Sequence, residues 1–278
     1  MSGFPRGPEG HRARKRFGQN FLVDPQAIDS IIAALDLGAD DAVVEIGPGR
    51  GALSFPLAVR PAALTLVEID RDLAEWLRVE GLRRGLRYTV VEADALQVDV
   101  AALAAGRRLK LVGNLPYNIS TPLLFHLLDA SVAIDRIVVM LQKEVVERMA
   151  AVPGGRSWGR LSVMLQARCR VEPLFEVPPQ SFRPVPAVDS AVVRLWPRAD
   201  TPTGSRWARL SRVTRVAFSA RRKQLGNTLK PLFDATALEA LGIDRTRRPE
   251  TLTVAEFLAL ADQLPESAGE LALPGPAE

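Results

Sequence analysis

The sequence predicts an α/β protein followed by a small all-helical domain. Three observations predict it. Short runs rich in Val, Ile and Leu recur between residues 43 and 195, separated by segments with helical apolar spacing. The first run, Val43-Val44-Glu45-Ile46, enters a glycine-rich turn, Gly47-Pro48-Gly49-Arg50-Gly51, and then a helix carrying Leu53, Leu57 and Val59. Such a strand–turn–helix unit brings backbone N–H groups close to a ligand. Past the polar stretch 197–205 only helical spacing remains.

Composition narrows the class. The 278 residues suffice for one large domain and a small one. No apolar run reaches the ~20 residues of a membrane helix, and the basic N-terminus has no apolar segment of signal-peptide type. The single cysteine, Cys169, excludes an intrachain disulfide and fits a reducing cytosol. One Cys with two His argues against zinc and for no metal. The net charge of +4 is modest, so its placement carries the information.

In chain order, residues 1–16 read as a mobile basic arm. Phe17-Gly18-Gln19-Asn20-Phe21-Leu22-Val23-Asp24-Pro25 follows, with Asp24 and Pro25 as cap and first turn of a helix through Ile28, Ile31, Ile32 and Leu35. Strands are expected at 43–46, 64–69, 88–91 and 109–113. Their ends offer Gly47, Glu68, Asp94 and Asn114 along one edge, where open α/β sheets bind ligands. Glu68 is placed to accept from ribose hydroxyls, and Asp94 either accepts from an adenine amine or merely shapes a turn. Gly47, Gly49 and Ala52 fit a relaxed dinucleotide fingerprint as well, which keeps a nicotinamide-dependent oxidoreductase open at this point. Asn114-Leu115-Pro116-Tyr117 places an amide acceptor beside an aromatic ring, a combination suited to a planar base bearing an amine. Ser120 to Pro122 reads as the capped start of a helix.

A strand at 136–141, helices from 142 to 149 and 159 to 169, and strand-like runs at 170–177 and 187–195 complete the α/β part. His126, among Leu124, Phe125 and Leu127, reads as a packed side chain. The proline-rich loop 178–186 carries Phe182, either a stacking platform or a core plug, and by itself the plug is favoured. Residues 206–230 read as one amphipathic helix: Trp207, Leu210, Val213, Ala217 and Phe218 on one face, a wholly cationic face opposite, and no acid. An unbalanced cationic face points to a polyanion such as RNA. Helices at 235–241 and 254–264 and an acidic, disordered tail from 265 end the chain.

Several stretches together resemble the bacterial small-subunit ribosomal RNA adenine dimethyltransferase family. They are Arg14 to Leu22, Glu45 to Gly49, Asn114 to Ser120, Leu141 to Val145, Gly159 to Val163, Phe182 to Val193 and Arg221-Arg222-Lys223. The resemblance spans residues 11–264. It implies a seven-strand S-adenosylmethionine-dependent methyltransferase sheet of Rossmann-like kind over 17–198 and a helical RNA-binding domain over 205–264. The implied activity is N6,N6-dimethylation of two adjacent adenosines near the 3′ end of small-subunit (16S) RNA. The implied context is a pre-ribosomal particle in the cytoplasm, acted on by a monomer that needs no membrane. By the same resemblance Asn20, Leu22, Gly47, Glu68, Asp94 and Asn114 contact the cofactor, Asn114, Leu115, Pro116 and Tyr117 form the catalytic loop with Phe182 opposite, and Arg221, Arg222 and Lys223 contact RNA. Ala93 and Trp158 depart from the residues usual in that family. The related large-subunit RNA methylases of antibiotic resistance match less well at the two ends of the chain. A non-catalytic assembly factor on the same fold is the remaining rival.

Overall fold

The computed structural model describes residues 8, 19–38, 40–60, 63–104, 106–220 and 223–266. The expected basic arm, apart from Pro8, and the tail beyond 266 lie outside the described residues. The chain divides into two compact units, one of residues 1–146 and 172–197, the other of 147–171 and 198–278.

The elements run β1 (Phe21–Leu22), α1 (Pro25–Ala34), β2 (Ala42–Ile46), α2 (Ser54–Ala58), β3 (Ala63–Glu68), α3 (Arg71–Arg84), β4 (Thr89–Glu92), α4 (Val100–Ala104), β5 (Leu109–Asn114), α5 (Ser120–Asp129), β6 (Ile134–Gln142), α6 (Lys143–Ala150), α7 (Arg160–Gln166), β7 (Cys169–Val177), β8 (Phe182–Arg183) and β9 (Ser190–Pro197). Helices α8 (Gly204–Ala217), α9 (Leu225–Thr228), α10 (Ala235–Ala240) and α11 (Val254–Gln263) follow. A seven-stranded sheet has the order β4-β3-β2-β5-β6-β9-β7. Strands β2 to β6 pair in parallel, and β9 runs antiparallel to β6. This is the sheet of the S-adenosylmethionine-dependent methyltransferases.

Burial explains the sheet. All of β2 is buried, and Leu66, Val112 and Val138 are fully so. Each such side chain contributes about 1.5–3 kcal/mol. Lys110 is tolerated in central β5 because its Nζ reaches the Asp41 carboxylate at 2.6 Å. Asp24 caps α1 as expected, its Oδ1 accepting from the N–H groups of Gln26 and Ala27. Helix α5 differs in detail: it starts without a side-chain cap, and the Ser120 hydroxyl instead donates to the Tyr117 carbonyl at 3.2 Å. The His126 ring lies 2.9 Å from the Val98 carbonyl, a packing role as expected.

In the second unit, α8 buries Leu210, Val213 and Ala217 and packs on α11 and α7. The segment 147–171, kept with the sheet in the sequence reading, therefore falls in this unit with α7. The single helix expected over 206–230 is broken after Ala217. The N–H groups of Leu225 and Gly226 donate to the Arg247 and Arg245 carbonyls, so they cannot continue a helical ladder. No helix among the described residues is long and apolar enough to cross a membrane.

Candidate active site

Strand order reverses between β2, which is flanked by β3, and its other neighbour β5. At this switch point a crevice opens above the strand ends. Two glycines let the backbones close in. A Cβ on Gly113 would lie 2.5 Å from the Ile46 carbonyl oxygen, so only glycine fits there. Gly49 has φ +55°, and the Phe21 ring lies against it, 3.1 Å from where a Cβ would be.

The segment 19–22 crosses this turn as a strap. Gln19 Nε2 donates to Asp70 Oδ2 at 3.2 Å, and the Arg50 guanidinium stacks over the Phe21 ring at 4.4 Å. Strand β1 pairs antiparallel with β8, placing Leu22 opposite Phe182. Strap, glycine turn and strand ends enclose one cavity lined, among others, by Asn20, Leu22, Gly47, Glu68, Asp94 and Asn114. The structure thus brings together all six residues expected at the cofactor.

Three acidic residues line the cavity, each in a different setting. Glu68 is buried; its oxygens accept from Gly49 N at 3.0 Å and Asp70 N at 2.9 Å. Burial raises its pKa above the ordinary value, the backbone donors opposing this. Asp94 Oδ1 accepts from Leu96 N at 2.9 Å, so it does shape a turn while facing the cavity. Glu45, in the middle of buried β2, is a residue to which the sequence motif attaches no role. It is 2% exposed, and burial pushes its pKa up to about 8, with the Ser54 hydroxyl opposing and the Glu68 charge adding. Glu45 Oε2 and the nearby Ser54 hydroxyl both lack a partner in hydrogen-bonding geometry. An acid inside an otherwise apolar strand was the signal for it. Acidic residues lining a cavity suit a cationic ligand.

The tetrapeptide Asn114 to Tyr117 lines the same cavity. Asn114 Nδ2 donates to the Asn20 carbonyl at 2.8 Å. A carbonyl only accepts, so the amide's NH₂ must face it, and Oδ1 is left as the acceptor for a ligand. Leu115 is buried and donates its N–H to the Met140 carbonyl at 3.2 Å. The Tyr117 hydroxyl lies 2.6 Å from Ser190 Oγ, at the start of β9, and burial raises its pKa.

Phe182 is placed otherwise than the family resemblance implies. It is 0% exposed, belongs to the main apolar core with Leu22, Ile28, Met140 and Val192, and is not among the residues lining the cavity. The ladder to β1 pulls it inward, which makes it the plug.

Of the RNA contacts, Arg221 and Arg222 lie outside the described residues, and Lys223 is exposed. The cationic face of α8 is less free than its sequence suggests. Arg206 pairs bidentately with Asp262 of α11, both distances 2.9 Å.

Comparison with known proteins agrees with this geometry. The family described as ribosomal RNA adenine dimethylase matches residues 10–266. "Ribosomal RNA small subunit methyltransferase A" of Pseudomonas aeruginosa is 52% identical over 262 residues, covering 93% of this chain and 97% of that protein. The protein of the same name from Cupriavidus metallidurans is 53% identical over 91% and 93%. A dimethyladenosine transferase from Plasmodium falciparum superposes with TM-score 0.75 at 28% identity, covering 86% of this chain and 95% of that one. The 23S rRNA methyltransferase ErmE gives 0.69 at 29%, over 88% and 99%.

Proposed function

The chain belongs to the ribosomal RNA adenine dimethylase family, and on that premise we propose that it dimethylates N6 of two adjacent adenosines near the 3′ end of small-subunit RNA. S-adenosylmethionine is the proposed donor. The observation that carries the reading is the Asn114 amide, turned by the Asn20 carbonyl so that Oδ1 remains as acceptor.

When bound, S-adenosylmethionine supplies a methyl group on a sulfonium, already activated for transfer. The acidic lining of Glu45, Glu68 and Asp94 fits such a cation, and Glu68 would accept from ribose hydroxyls with its remaining lone pairs. Adenine's amine is a weak nucleophile because its lone pair is delocalised into the ring. It needs aim rather than a strong base. Asn114 Oδ1 and the Leu115 carbonyl accept its hydrogens and direct the lone pair at the methyl carbon, which is positioning with electrostatics. The target base must leave its stack, and Tyr117 receives one face of it.

A large-subunit target is the second reading, favoured by the likeness to ErmE. Identity above 50% to small-subunit enzymes, against 29%, favours the first. The pre-ribosomal particle as substrate and the monomer as acting form belong to this proposal, as do RNA contacts by Arg221, Arg222 and Lys223. Transfer of labelled methyl to undermethylated small subunits, with the modified bases mapped, tests the whole. Label in large-subunit RNA, or none, would defeat it.

Two substitutions separate the roles. Glu68→Ala is expected to weaken S-adenosylmethionine binding by about 1.5–3 kcal/mol, the scale of hydrogen bonds to a charged group. An unchanged calorimetric Kd would remove Glu68 from the ribose. Ser190→Ala releases the Tyr117 hydroxyl. Loss of one hydrogen bond should lower single-turnover transfer about two- to tenfold with cofactor affinity intact, and Ser190→Thr should restore it. Equal losses in both would show that Ser190 merely supports the fold.

A further inference from the structure

We propose that Arg160, fixed by Ser211, and its neighbour Arg215 form a clamp for one RNA phosphodiester on the second unit. The proposal rests on the RNA-methyltransferase reading and adds a contact that the family resemblance does not assign. Arg160 opens α7, and its Nη2 donates to Ser211 Oγ of α8 at 3.1 Å. Arg215 stands one helical turn beyond Ser211, so its stem rises from the same strip of α8. Both arginines are exposed, and neither makes an ion pair among the described residues. Desolvation, then repulsion from Arg215, lowers the Arg160 pKa. Proximity of the two charges is therefore a cost in the free protein.

A neighbouring arginine shows the contrast. Arg206, on the same helix, has its charge met by Asp262. Where a carboxylate answers Arg206 of α8 and none answers Arg215 of α8 or Arg160 of α7, the missing counter-charge comes from outside. Two neighbouring guanidinium forks, one of them fixed by a hydroxyl, suit a phosphodiester, which offers two unesterified oxygens and a fixed geometry. A phosphate contact of this kind positions the RNA without reading its sequence.

The test is the salt dependence of binding to naked small-subunit RNA, measured for Arg160→Gln, Arg215→Gln, the double variant and Arg206→Gln. Each of the first two should reduce the log–log slope by about 0.7–0.9, one phosphate contact. The double variant should lose no more than either single one, because the phosphate is shared. Arg206→Gln should leave the slope unchanged. Melting temperature should hold or rise in Arg160→Gln and Arg215→Gln as repulsion is relieved. Unchanged slopes, additive losses, or weakened binding to assembled subunits with naked RNA unaffected would each overturn the clamp, the last by pointing to an acidic protein. Should Arg160→Gln fold poorly, Arg215→Gln still decides. Wild-type methyl transfer run in parallel keeps the outcomes apart: its failure defeats the functional reading, whereas an unchanged slope with transfer intact defeats only the clamp.

Discussion

Phe182→Ala is expected to cost about 3–5 kcal/mol of stability, the range for deleting a fully buried aromatic side chain. Its ring is 0% exposed among Leu22, Ile28, Met140 and Val192. The loss should spread, because Phe182 faces Leu22 across the β1–β8 ladder. That ladder is continued by Val23 N donating to the Ser181 carbonyl at 2.8 Å and by the Ser181 hydroxyl on Asp24 at 2.7 Å. The strap carrying Asn20, Phe21 and Leu22 to the cavity is anchored through this ladder. Cofactor affinity should therefore fall together with the urea midpoint. A stacking platform predicts the opposite pattern: transfer lowered roughly ten- to a hundredfold, from ~1–3 kcal/mol of stacking, with stability untouched. A variant that unfolds at the wild-type midpoint would return Phe182 to the substrate.

The parts of this architecture that local patterns encode were legible in the sequence. Central strands read as runs of Val, Ile and Leu because both faces are covered. The residues just past them, Gly47, Glu68, Asp94 and Asn114, then had to share an edge. What local patterns do not encode is long-range pairing. Two-residue strands such as Phe21–Leu22 and Phe182–Arg183 have no period to detect, so the strap and the burial of Phe182 emerge only when distant segments meet. The same holds for Tyr117 with Ser190, and for Arg206, whose cationic face looks unbalanced until Asp262 arrives from another helix. The apolar run of α7 shows that it is buried but not which layer it packs against. Glu45 was visible as an acid in an apolar strand; its consequence depends on the closed environment that the fold builds around it.

Asn114→Ala should nearly abolish methyl transfer while RNA binding stays close to wild type, because the lost acceptor acts on the amine as charge develops there. Removal of one preorganised group aimed at a transition state costs on the order of 10²–10³ in rate. Asn114→Asp is the more discriminating change. It keeps an acceptor for the amine but loses the donor that Nδ2 offers the Asn20 carbonyl at 2.8 Å. Two oxygens would then face each other across that distance, and the carboxylate would sit in a cavity already holding Glu45 and Glu68. Charge repulsion should turn the new side chain away from Asn20, loosening the strap and raising the pKa of the introduced acid. Single-turnover transfer by Asn114→Asp should accordingly be far below wild type at neutral pH. It should recover in part as pH falls and the acid is protonated, since a carboxylic acid can again donate to the Asn20 carbonyl and accept from the amine. Alanine at this position has no such pH response. Wild-type rates in Asn114→Asp, or the same flat profile in both variants, would show that the amide is not oriented by the strap.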